Sequence, residues 1–223
     1  DIIVRCYYVM GFPDETLDQL NQSIEYAKNL GADWSSFNIA TPLVGTEMYQ
    51  QYVDRGVIKD GSELWSQASY ARRTFDTPEF SADFINDFVY RANLQVNFLH
   101  NPNLENGRPD IAIKLFSDVL ESFPWHIFAL QARALATLSL GRSKSAMKDV
   151  DQISWLIEND DRSRRLFDDY PEFLFQGKFH HLVEPEAYRV GRPLDNPHRS
   201  IAYAEEKGAV LGPDRDKRLH GIV

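Results

Sequence analysis

A strand, a helix and a second strand succeed one another within residues 2–40, and that order leaves few topologies open. Residues 2–10 (IIVRCYYVM) are apolar nearly throughout, as expected of a strand buried on both faces of a parallel sheet. The run Gly11-Phe12-Pro13-Asp14-Glu15 breaks it. Thr16 followed by Gln19 is a capping-box signature, and Leu17, Leu20, Ile24, Ala27 and Leu30 continue at helical spacing until Gly31 supplies a left-handed stop. Residues 34–40 (WSSFNIA) make a second strand, ended by Thr41-Pro42. A helix between the strands excludes a hairpin, so the strands should run parallel with a right-handed crossover.

Beyond this βαβ unit the pattern turns helical. Gly45-Thr46 opens a short helix carrying Met48, Tyr49, Tyr52 and Val53, which Gly56 ends. Residues 57–80 read as irregular, with a strand expected at Tyr70–Phe75. Thr77-Pro78 and Ser81 introduce a helix over roughly 82–100, with Phe84, Ile85, Phe88, Val89, Ala92 and Val96 inward. Gly107, Arg108, Ala112 and Lys114 then recur as Gly141, Arg142, Ala146 and Lys148, each at an offset of 34 residues. A fixed period of about 34 marks a helical-hairpin repeat. Ala112, Phe116, Val119 and Pro124 have the spacing of the second helix of a tetratricopeptide repeat, and residues 127–140 that of the first helix of the next copy. About one and a half copies are readable, fewer than the roughly three a free-standing array needs. Residues 162–190 could hold one or two short helices. Residues 191–223 are rich in Gly, Pro and charge and are expected to be a loosely packed tail. The expected domains are thus 1–100, 101–190 and the tail 191–223.

Composition removes several functions. The chain has 223 residues, 43% of them hydrophobic, with a formal charge of −9. An acidic balance argues against general nucleic-acid binding, which needs clustered Lys and Arg. No apolar run of about 18 residues predicts a membrane span, and no signal segment is visible. The single cysteine, Cys6, excludes an internal disulfide framework and fits a reducing, cytoplasmic setting. The strand run starts directly after Asp1, without an initiating Met. Processing or trimming explains that, or else the upstream part of a domain is missing.

GFPDET at 11–16, followed by TPLVGTEMY at 41–49, resembles the radical S-adenosylmethionine (SAM) enzymes, especially those joined to a cobalamin-binding domain. These have a strand ending in a GFPxET-like turn, then a helix and a strand ending in a TPxPGTxxY-like turn. Val44 stands where the second Pro is usual. YARRTFDTPEFSADF, with a helix ending in NFLHNP, is similar to the segment that closes such domains, so the resemblance covers roughly residues 1–100. It implies the C-terminal part of a partial α/β barrel, followed by the all-α extension. It implies SAM and a [4Fe–4S] cluster as cofactors of the parent enzyme, with cobalamin as a second cofactor. The reaction would be a radical alkylation, methylation or rearrangement of a small-molecule substrate. By the same resemblance, Val9, Gly11 and Phe12 border the adenine, and Ile39, Ala40, Thr41 and Pro42 flank the adenosine from the next strand. Strand C-terminal ends are where ligands sit in such folds. Gly11 permits close backbone approach of a ligand, whereas Glu15 is expected to order the turn.

One absence weighs against activity. A [4Fe–4S] cluster open to SAM takes three thiolates close in sequence, and the chain offers only Cys6, which reads as a packed apolar residue. This chain alone is therefore expected to be inactive. His180, His181 and Glu184 lack further ligands at motif spacing and read as surface residues. The charges of 158–165 read as a solvated helix start. Trp125, Phe128, Trp155, Phe167, Tyr170, Phe173 and Phe175 crowd the helical half. Most are expected in the core; exposed along one concave face, they would instead make the region a protein-binding module.

Overall fold

The computed structural model describes residues 2–61, 69 and 71–174. They fall into two compact units, one ending at Pro102 and one beginning at Asn103.

In the first unit, β1 (Arg5–Met10) pairs in parallel with β2 (Trp34–Ile39), Arg5 opposite Trp34 and Met10 opposite Ile39. Helix α1 (Leu17–Leu30) joins them. Its N-terminus carries the full capping box, Thr16 and Gln19 each serving the other's backbone N–H, and Gly31 ends it at φ 65°. Helix α2 (Glu47–Asp54) follows β2, capped by Thr46. Helix α3 (Ala82–Asn93) is capped by Ser81 and runs on as a π-helical segment, Leu94–Leu99. The core lies against one face of the sheet, where Met10, Phe37 and Ile39 meet Leu20, Ile24 and Ala27 of α1 and Ile85, Val89 and Ala92 of α3.

Two expectations are corrected. β1 is not covered on both faces among the described residues: Tyr7 and Val9 are exposed, because α1 and α3 pack on the same side. Of the strand expected at Tyr70–Phe75, Tyr70 lies outside the described residues and residues 71–75 form no strand; a single antiparallel bridge, Ser69 to Arg72, is the only pairing described there. The Arg73 backbone is bonded instead to a side chain, its N–H donating to Asn86 Oδ1 at 2.8 Å and its C=O accepting from Asn86 Nδ2 at 2.8 Å.

The outer edge of β2 is closed by asparagines. Asn97 accepts from Ser35 N–H at 2.9 Å and donates to Ser35 C=O at 2.7 Å. Asn93 does the same for Phe37, at 3.3 and 3.1 Å. Asn93 and Asn97 stand four residues apart along the end of α3 and its π-helical continuation, and Ser35 and Phe37 two residues, about 6.6 Å, apart along β2. An Asn at every fourth position can therefore serve every second strand residue. These amides satisfy buried backbone groups that an edge strand otherwise leaves unpaired.

The second unit is built of helices. After a short turn of helix, α4 (Pro102–Glu105), come α5 (Pro109–Ser122), α6 (Ile127–Ser139), α7 (Ser143–Asn159) and α8 (Asp161–Asp169). Consecutive members of α5 to α8 pack on one another. The 34-residue offset relates equivalent positions: Gly107 and Gly141 are both left-handed just before a helix, and Ala112 and Ala146 are both fully buried. Arg133 of α6 grips Asp149 of α7 through Nε at 2.9 Å and Nη2 at 2.7 Å. The segment from residue 175, including His180, His181, Glu184 and the tail 191–223, lies outside the described residues.

Candidate functional site

The three stretches singled out in the first hundred residues converge at the C-terminal ends of β1 and β2. The turn after β1 is held from within by Glu15, whose Oε2 accepts from Gly11 N–H and from Phe12 N–H, the latter at 3.0 Å. Asp14 takes the left-handed conformation, φ 63°. Its N–H donates to Glu79 Oε1 at 2.9 Å, and its carboxylate meets Arg55 at 2.8 Å. Arg55, at the end of α2, also reaches Glu79 at 3.1 Å. The Arg55 hydrogen bond holds the Asp14 pKa below its ordinary value. Glu79 is also held low: its hydrogen bonds and the Arg55 charge outweigh the desolvation that opposes them.

The centre of the cluster is Arg73, which is only 3% exposed. Its Nη2 donates to Gly11 C=O and, at 3.3 Å, to Ala40 C=O, so one guanidinium ties the ends of both strands. Tyr52 adds a long hydrogen bond to the same Gly11 carbonyl, 3.4 Å. A Cβ placed on Gly11 would lie 2.8 Å from Arg73 Nη2 and 3.1 Å from Ile85 Cγ1, and Gly11 has φ +84°. Gly11 thus makes room for a guanidinium of the same chain. Burial pushes the Arg73 pKa down, opposed by Tyr52, Glu79 and Glu15.

The residues that the family resemblance assigns to adenosine divide by surroundings. Val9 and Phe12 are exposed, the one on the open sheet face and the other on the turn. Gly11 and Ala40 are buried, and each carbonyl is taken by Arg73. Ile39 belongs to the core. Thr41 Oγ1 donates to Ile39 C=O at 3.3 Å and to Ser69 C=O at 3.1 Å, and Pro42 is buried. Glu15 orders the turn as expected. Arg73, Asn86 and Arg55 were not singled out from sequence; their only signal was the position of Arg73 inside the RRTFDTPEF stretch.

Cys6 is half-buried within β1, and among the described residues no group of three or more His, Cys, Asp and Glu side chains could hold an ion. In the helical unit Trp125, Phe128 and Tyr170 are buried, Phe167 and Phe173 half-buried, and Trp155 is 59% exposed; Phe175 lies outside the described residues. No described helix is long and apolar enough to cross a membrane.

Comparison with known proteins gives one partial likeness. Over 51 residues the chain is 35% identical to an uncharacterized methyltransferase of Pyrococcus horikoshii, a stretch that is 23% of this chain and 11% of that protein. The chain therefore matches only about a tenth of that relative's length. No family model matches the chain, and no solved structure matches it.

Proposed function

We propose that the unit ending at Pro102 is the adenosine-binding side of a SAM-dependent enzyme of the radical SAM type, in which β1 and β2 present the nucleoside pocket at their C-terminal ends. One observation carries the reading. The GFPDET turn, the TPLVGTEMY segment with α2, and residues 72–80 are bonded into one cluster there. The partial likeness to a protein named a methyltransferase supports it, since methyl transfer commonly draws on SAM. The exposed Val9 and Phe12 side chains would take the base, while the buried backbone at Gly11 and Ala40 holds the two strand ends in register.

The described residues do not fit a [4Fe–4S] cluster. Such a cluster takes several thiolates, and the chain has Cys6 alone, inside a strand. Radical chemistry in this reading relies on a cluster-bearing segment elsewhere in the enzyme, with cobalamin as its proposed companion. The contribution assigned to these residues is binding.

Calorimetric titration of the 223-residue chain with 5′-methylthioadenosine and with SAM tests this. Saturable binding of both is expected, weakened about tenfold by Phe12→Ala, a loss of about 1.4 kcal/mol of stacking. Absence of saturable binding of either nucleoside by the unaltered chain overturns the reading.

A further inference from the structure

Arg73 is a buried cation whose hydrogen bonds go only to neutral groups. Its backbone is clamped at both ends by Asn86, its Nη2 serves two carbonyls, and the Phe75 ring lies 5.6 Å from its Cζ. Nε and Nη1 are buried and make no hydrogen bond by geometry, although the Tyr52 hydroxyl, which donates to Gly11 C=O, is close enough to favour the charged guanidinium. Two carboxylates act on its charge through space, yet their hydrogen bonds go elsewhere. Glu79 Oε1 is taken by Asp14 N–H and Arg55, and Glu15 Oε2 by Gly11 and Phe12 N–H. Buried charges are ordinarily paired and buried donors bonded. A guanidinium with spare donors at the C-terminal edge of a parallel sheet, where ligands of such folds gather, departs from both habits at a meaningful place.

We propose that Arg73 receives the carboxylate of a small-molecule ligand, bound through the N–H groups of Nε and Nη1 at the ends of β1 and β2. A carboxylate suits the charge better than a phosphate does. Arg55 is committed to Asp14 and Glu79, which leaves Arg73 as the cation bonded to the ends of both strands with donors to spare. Three backbone amides of the turn and of the first turn of α1 are also occupied, those of Gly11 and Phe12 by Glu15 and that of Gln19 by Thr16. Guanidinium–carboxylate bonds are among the strongest protein hydrogen bonds. Because both nitrogens are buried, neighbouring side chains must give way to admit the ligand, so a minimal carboxylate should bind weakly.

The inference goes beyond the adenosine reading and does not depend on it. Its test follows the arginine Nε–H signals of the whole chain by nitrogen–proton NMR. Acetate, glutarate and inorganic phosphate are titrated at constant ionic strength, with thermal unfolding in parallel. A saturable downfield shift of the Arg73 signal with acetate or glutarate, and a carboxylate-dependent rise in Tm lost in Arg73→Met, are the expected results. An Arg73 signal that ignores carboxylates, moves only with phosphate, or accompanies a Tm rise undiminished in Arg73→Met overturns the proposal. Should Arg73→Met fail to fold, the unaltered chain's spectrum decides alone. SAM and 5′-methylthioadenosine distinguish the source. A shift with SAM alone assigns the carboxylate to SAM's amino-acid end, whereas a glutarate shift that persists beside bound methylthioadenosine assigns it to a second molecule. If neither nucleoside binds and glutarate still moves Arg73, the adenosine reading falls and this inference stands.

Discussion

Gly11 is constrained twice, by a backbone angle that side chains avoid and by a guanidinium occupying the space a side chain would take. Gly31 separates the two constraints, since it too is left-handed, at φ +65°, but has nothing within 4 Å of the Cβ it would carry. An L residue in that conformation costs about 1–2 kcal/mol. Gly31→Ala should therefore lose about 1 kcal/mol, while Gly11→Ala adds an overpacking cost of about 1–3 kcal/mol. Urea unfolding of the two variants reads the difference, and equal losses would remove Arg73 from the account of why residue 11 is glycine. The sequence pointed at Gly11 and Glu15, because a Gly-Phe-Pro turn between strand and helix is local and readable. It did not point at Arg73, which lies 62 residues away in a stretch without periodicity and acts through a contact that only the folded chain creates.

At the scale of elements, the asparagines on α3 and its π-helical continuation carry an unusual share of the sheet's hydrogen bonding. Removing the Asn97 amide leaves the N–H and C=O of Ser35 buried without partners, at about 1–3 kcal/mol for each group. Asn97→Ala should thus cost about 2–6 kcal/mol and speed amide exchange at Ser35 first, whereas Asn93→Ala should act first at Phe37. Exchange that rises equally at both amides in either variant would mean the ladder opens only by global unfolding. The helix itself was legible, because its apolar residues keep the 3.6 period. The asparagines were not, since Asn on a helix usually faces water and nothing in spacing alone says that a strand edge lies opposite. β1 was misread for a related reason. A strand apolar nearly throughout announces two buried faces, but α1 and α3 both settle on one of them and leave Tyr7 and Val9 in the open. The 34-residue offset was readable because each left-handed glycine and each buried alanine falls at the same place in its helix pair.

At the scale of the molecule, acid should act on the helical unit before the sheet-bearing one. His126 is fully buried at the start of α6, where Nδ1 accepts from Ala129 N–H at 3.0 Å, so the fold requires the unprotonated ring. Burial lowers its pKa from 6.5 to about 4. Between those values the unfolded chain binds a proton that the folded chain refuses, so stability is complete above pH 6.5 and falls as pH drops toward 4. A depression of this size is worth on the order of 3 kcal/mol. In the first unit Asp14 and Glu79 also have lowered pKa values, but from ordinary carboxylate values of 3.8 and 4.5. Their contribution is present above those values and disappears only at lower pH. Amide exchange followed from pH 7 to 5 should therefore show protection falling in α6 while β1 and β2 hold. His126→Asn keeps an oxygen acceptor for the cap and removes the titration, so its helical unit should lose the slope across this range. A slope that survives the substitution, or strands that weaken together with α6, would place the acid sensitivity in some other group.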